Sequence, residues 1–111
     1  MSAHRIHLRR PWRSAAAGLR PGWSRRFGRP TGLEPGDCVW LVIEGMPQAE
    51  VWLNANRLAP VDLLVTQRYD ITDRLMTRNE IVIVAGTGPG VEPTTGEPPA
   101  EVYLEIVSTA D

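Results

Sequence analysis

"DCVWLVIEGMPQAEVWLNANRL", residues 37–58, contains two runs in which apolar residues recur at every second position. That period marks a strand with one buried face, because successive side chains leave an extended backbone on opposite sides. The parity directs Val39, Leu41 and Ile43, then Val51 and Leu53, toward a core. With only "MPQ" and its flanks between them, the runs read as adjacent antiparallel strands, and Trp40 and Trp52 fall together on their outer face. Two indoles there have three readings: a platform for sugar rings, a protein interface, or a patch covered by an N-terminal arm bearing Trp12 and Trp23.

The stretch ends in Asn54-Ala55-Asn56. A two-residue hairpin turn needs positive φ at its second central position, at a cost of about 1 kcal/mol or more for a residue with a Cβ. A three-residue loop removes that cost by giving Asn54 and Ala55 right-handed angles and Asn56 the left-handed one. The expectation is therefore the longer loop, with Asn56 occupied by the turn and Asn54 and Arg57 available to a ligand.

The same period of two extends along the chain. "HRIHLRR" (4–10), "GWSRRFGRP" (22–30), "QRYDITDRL" (67–75, ending in a turn), "NEIVIVAG" (79–86) and "AEVYLEIVS" (100–108) read as further strands. "RLAPVDLLV" (57–65) is interrupted by Pro60, which restricts it to an edge strand or a bend. Thr72 is placed to cap one helical turn over residues 73–75. Residues 86–100 hold four Gly and four Pro and form an exposed loop. About eight short strands separated by turn signals, with no four-turn helical stripe, predict one all-β sandwich domain over residues 1–111. The outer faces of the first and last strands match in charge, Arg5 and Arg9 against Glu101 and Glu105, which predicts that these strands are neighbours.

Composition narrows the class. With 42% hydrophobic and 23% charged residues the chain belongs with soluble globular domains, and no apolar run reaches the roughly 20 residues of a membrane span. "SAAAGL" is too short for a signal-peptide core, so the expected location is cytoplasmic. The single cysteine, Cys38, excludes an intrachain disulfide and a cysteine metal cluster, and its place in the apolar run reads as core. The first 33 residues hold eight arginines and no acid, while all thirteen acids lie in the other 78. Such a basic third suits nucleic acid, but the near-cancelling total favours pairing of the two ends within one fold.

The order of motifs resembles the N-terminal sugar-binding domain of family two glycoside hydrolases, the jelly roll preceding the catalytic barrel in β-galactosidases and β-glucuronidases. The residues carrying the resemblance are "RRFGRPTGL" (25–33), "VWLVIEG" (39–45), "AEVWLN" (49–54), "YDIT" (69–72) and "LMTRNEIVIV" (75–84). The family's asparagine-glycine turn is Asn54-Ala55 here. The resemblance implies a galactose-binding-like jelly-roll β-sandwich without the catalytic glutamates, which belong to the barrel.

No other chemistry is signalled. His4 and His7 point to opposite faces of a strand, no serine sits in a nucleophile elbow, and "GTGPG" opens no helix to hold phosphate. Asp70, Thr72 and Asp73 offer oxygen ligands for calcium, yet Asp and Thr at such a turn more often bond backbone amides. The expectation is a non-enzymatic module without metal or cofactor. Trp40, Trp52, Asn54 and Arg57 are its candidate ligand-binding residues, and its partner is a carbohydrate. The alternative is an interaction or scaffold domain that forms a homodimer or binds a partner protein through the Trp40/Trp52 face.

Overall fold

Ten strands build the described part of the protein, which in this computed structural model comprises residues 2–15, 22–46, 49–59, 62–63, 66–85, 98 and 100–108. In chain order they are β1 Ser2–His7, β2 Arg13–Ser14, β3 Gly22–Gly28, β4 Cys38–Glu44, β5 Glu50–Leu53, β6 Asn56–Arg57, β7 Asp62–Leu63, β8 Thr66–Asp70, β9 Arg78–Val84 and β10 Glu101–Ser108. They form two five-stranded antiparallel sheets, ordered β1-β10-β4-β8-β7 and β2-β3-β9-β5-β6. This is an all-β sandwich of the jelly-roll type. The excess over eight strands comes from β2, which the sequence did not signal, and from "RLAPVDLLV" splitting into β6 and β7. Those two pieces lie at the edges of different sheets, as Pro60 between them allows. Of the Gly- and Pro-rich segment 86–100, only Pro98 and Ala100 are among the described residues.

The core follows the predicted parity. Val39, Leu41, Ile43, Val51 and Leu53 are buried, joined by Tyr69, Ile81, Ile83, Val102 and Leu104. Strands β4 and β5, however, are not neighbours. Strand β4 is the middle strand of the first sheet, whereas β5 pairs with β9 and β6 in the second. The chain crosses between sheets after Gly45, whose φ is 95°, and it buries Met46 and Ala49 in the crossing. Inward parity is equally satisfied whether two strands lie side by side or face each other across the core, so the pattern alone could not separate the two. Trp12 and Trp23 lie in that core, not over Trp40 or Trp52.

The first and last strands do pair. Arg5 faces Glu105 in the β1–β10 register, and its Nε lies 3.1 Å from Oε2. The second expected pair changes partner, since Glu101 meets His7 at 3.4 Å and not Arg9. Cys38 shares the outward parity of Trp40 and is half-buried, so it is not a core residue.

The Asn54-Ala55-Asn56 turn also departs from expectation. Leu53 pairs with Asn56, and Asn54 and Ala55 have φ of 51° and 68°. This is the two-residue hairpin with both central residues left-handed, and Ala55 occupies the position where glycine is normal. Asn56 has no positive φ. The tip is held by Asn79, a buried residue. Its Oδ1 accepts from the Met76 N–H at 2.8 Å and the Asn54 amide at 3.1 Å, while its Nδ2 donates to the Met76 carbonyl at 2.9 Å. In return Asn54 Oδ1 accepts from the Glu80 N–H at 2.9 Å.

Thr72 opens the 3₁₀ turn Thr72–Arg74 from within, with Ile71 in the cap position and no side-chain cap bond. Its hydroxyl instead accepts from the Val39 N–H at 2.9 Å, tying the turn to β4. Asp70 accepts from both the N–H and the hydroxyl of Thr72, at 3.1 and 2.7 Å. Among the described residues no helix is long and apolar enough to cross a membrane.

Candidate functional site

Alternation along β3, β9 and β5 sends one set of side chains outward from the second sheet. The register aligns Arg13, Ser24, Val82, Trp52 and Arg57 across its five strands, with Arg26 beside Glu80 in the next row. Strands stand about 4.8 Å apart, so this row crosses the whole width of the sheet. Three of the four sequence-predicted residues, Trp52, Asn54 and Arg57, thus belong to the β5–β6 hairpin of this sheet. The fourth, Trp40, lies on the outer face of the other sheet, and no shared Trp40/Trp52 face exists.

Each indole has an arginine neighbour. The Arg57 guanidinium lies 6.0 Å from the Trp52 ring centre and its Nη2 is 3.5 Å from Glu50. Arg57 is exposed, and such a loose surface pair restrains it weakly. The Trp40 side is tighter. Arg68 lies 4.8 Å from that ring and 3.2 Å from Glu105, which also holds Arg5. Next to it Tyr103 lies under Arg5 at 4.8 Å and donates its hydroxyl to Glu44 at 2.7 Å. Burial, then the Glu44 hydrogen bond and charge, push the Tyr103 phenol up to about 12. The first sheet's outer face is therefore a closed network in which cations and carboxylates neutralise one another.

The second sheet's outer face is open by comparison. Two adjoining depressions share Arg26 and Glu80. One, of about 290 Å³, is lined by Pro11, Arg13, Ser24, Arg25, Arg26 and Glu80. The other, of about 300 Å³, is lined by Arg26, Asn54, Arg78, Asn79 and Glu80. The pairing of Arg26 with Glu80 is long, at 3.7 Å, and both are exposed. A larger cleft of about 460 Å³ is lined by Leu8, Arg9, Arg10 and Trp12 on one side and by Pro98, Ala100, Glu101 and Val102 on the other. It holds none of the sequence-predicted residues, and the Trp12 indole in its wall has already donated its N–H to the Leu8 carbonyl at 3.1 Å.

Arg25 is the functional candidate that sequence reading missed. Its parity points inward between Trp23 and Phe27, but β2 ends opposite Ser24 and leaves the edge of β3 uncovered there. Pro11 lacks the N–H needed to extend the ladder. The Arg25 side chain leaves through that gap, with Nε donating to the Arg9 carbonyl and Nη1 to the Arg26 carbonyl. Partial burial pulls its pKa below the ordinary guanidinium value. The sequence signal was available: an arginine at an inward position, two residues from each of two buried aromatics.

No family model matches the chain, and no curated protein matches it. Among solved structures, the FMN-binding β-glucuronidase from Facaelibacterium prausnitzii L2-6 superimposes with a TM-score of 0.75 at 18% identity. The match covers 96% of this chain and 23% of that one. The fold is thus shared with part of a β-glucuronidase, in keeping with the resemblance read from the sequence, and this chain spans about a quarter of that enzyme's length.

Proposed function

We propose that this chain is a non-catalytic carbohydrate-binding module of the kind found in family two glycoside hydrolases, and that it binds glycan on the outer face of its second sheet. The observation that carries the reading is that Trp52 and Arg57 pair on the outer face of this sheet, one row from two depressions that share Arg26 and Glu80, one of them lined by Asn54. An aromatic with polar groups around a shallow groove suits a sugar, whose ring offers an apolar face and whose hydroxyls need partners at the rim. The likeness to a β-glucuronidase supports the same class of ligand. The non-catalytic part rests on the acids: Glu44, Glu50, Asp70, Glu80, Glu101 and Glu105 each engage a cation or a hydroxyl donor of the fold.

Isothermal calorimetry against a panel of soluble glycans tests the reading. Binding that Trp52→Ala abolishes and Trp40→Ala leaves intact is expected. Heat that is absent for every glycan, or lost only with Trp40→Ala, would refute it. The alternative reading, a domain that docks on protein through the Trp40 side, is favoured by the charge-balanced face around Glu105. It predicts a dimeric mass in solution that Trp40→Ala reduces to the monomer.

A further inference from the structure

The geometry points to an oxyanion site in the depression at the free edge of β3, and hence to an acidic glycan, bearing carboxylate or sulfate ester groups, as the ligand. The acidic glycan rests on the carbohydrate reading above, but the oxyanion site stands on its own geometry. Arg13, Arg25 and Arg26 converge on one pocket of about 290 Å³ in which Glu80 is the only acid among the described residues. Arg13 makes no ion pair with any described acid, and Arg26 has only its long contact with Glu80. Arg25 is fixed by two backbone carbonyls and meets no carboxylate among the described residues. Its Nη2 makes no hydrogen bond to the described residues, so the donors of this anchored fork are partly unspent.

This arrangement is unlike a solvated basic surface. One guanidinium is immobilised before any ligand arrives, which lowers the ordering cost of binding. Two flexible arginines from β2 and β3 flank it, and Pro11 forms a rigid wall. Planar guanidinium groups match the paired oxygens of carboxylate and sulfate. Among the described residues Arg13, Arg26, Arg57 and Arg78 share this face with Glu50 and Glu80, and Arg25 emerges at its edge. The surplus is positive although the chain as a whole carries −1.

The test is a nuclear magnetic resonance titration of the full chain, following the amides of residues 13 and 24–26 and the arginine Nε signals. The probes are trigalacturonate, neutral galactotriose, sodium sulfate and a short thymidine oligonucleotide. Trigalacturonate should shift these signals and bind at least about tenfold more tightly than galactotriose, with the difference shrinking as salt rises. Arg13→Gln and Arg26→Gln, both exposed and neutral to folding, should each weaken it by about tenfold, the loss of one charge-assisted bond. Equal binding of both saccharides, lost with Trp52→Ala and unchanged in the arginine variants, would overturn the inference and leave the carbohydrate reading standing. Sulfate shifting these residues while neither saccharide does would uphold the oxyanion site and reject the glycan. Tighter binding of the oligonucleotide would overturn the assignment in favour of nucleic acid, and silence to all four probes would overturn it outright.

Discussion

Replacing Ala55 by glycine should make the protein more stable. Ala55 has φ of 68° at the second central position of the β5–β6 hairpin, beside Asn54 at 51°. A Cβ in that left-handed region costs about 1–2 kcal/mol, and glycine removes the cost. Glycine also loosens the unfolded chain, which returns about 0.4–1 kcal/mol of that gain. The net expected stabilisation is about 0.5–1 kcal/mol, since Ala55 is exposed and loses no packing. For a chain of 111 residues, the unfolding entropy converts this into a rise in Tm of about 2–4 °C. Differential scanning calorimetry measures the shift, and urea unfolding with an unchanged m-value shows that it arises from stability and not from a change in compactness. Asn56→Gly is the discriminating partner. A three-residue loop with Asn56 left-handed would gain from that change, whereas here Asn56 is a strand residue whose amide donates to the Asn54 carbonyl at 3.2 Å. A fall in Tm for Ala55→Gly together with a rise for Asn56→Gly would refute the turn assignment.

Three further outcomes follow from the same structure. Asn79→Ala strips partners from Met76, Asn54 and Phe27 at a buried site and should cost about 2–4 kcal/mol by urea unfolding, while Asn54→Ala, half-exposed, should cost nearer 1. Gly22→Ala would set a Cβ 2.1 Å from the Ala15 carbonyl oxygen, so the β2–β3 pairing must give way, at about 1–3 kcal/mol and with faster amide exchange at Ala15. The two tyrosines, Tyr69 and Tyr103, are both pushed up to about 12, chiefly by burial. Because both folded values exceed the ordinary phenol value of about 10, the unfolded chain loses its phenol protons first. Stability from this source is intact below pH 10 and is lost as pH rises toward 12. Tyrosinate absorbance should show both groups titrating late in the folded protein, and Glu44→Gln should bring Tyr103 down without moving Tyr69.

Strand positions and inward parity were legible because a period of two has a single structural cause. The pairing of the first and last strands was legible for a related reason: matched charges on Arg5 and Glu105 carry register information that apolar residues do not. Sheet membership was not legible. A glycine between two alternating runs looks like a hairpin, and only the crossing that buries Met46 and Ala49 separates β4 from β5. The turn at Asn54 was misjudged because local strain was weighed without its compensation. Asn79, 25 residues away, clasps Asn54 through a bond no local pattern announces, and contacts across the fold can hold a strained turn that a peptide would abandon. Parity put Trp52 on an outer face and the reading of the turn put Arg57 beside its tip, but Arg25 was overlooked because its inward position suggested core. Its meaning emerges only once β2 proves too short to cover the edge of β3.

The uneven placement of charge follows from the topology. Six residues lie between Arg5 and Trp12, and in that span the chain leaves the first sheet for the edge of the second. Arg5 remains with β1 and finds Glu105 on β10, so the acidic C-terminal strand neutralises only the arginines that share its sheet. Arg13, Arg25 and Arg26 belong to β2 and β3, and the acid that reaches them is Glu80 of β9. Pairing between the basic and acidic ends therefore holds on one sheet and fails on the other. An unpaired arginine exposed to water costs the fold little, so stability alone neither requires nor forbids the surplus. Arg25 is different. A guanidinium that could have been an apolar residue on an inward position instead loses part of its hydration, anchors to two carbonyls and emerges beside two further arginines. That placement adds like-charge repulsion with no acid paired to Arg25 among the described residues, and an anion in the pocket would relieve it. A protein that binds one there should be stabilised by millimolar sulfate more than by chloride at equal ionic strength, below the concentrations at which sulfate strengthens burial in any protein, and Arg25→Met should erase that low-concentration difference while the fold persists.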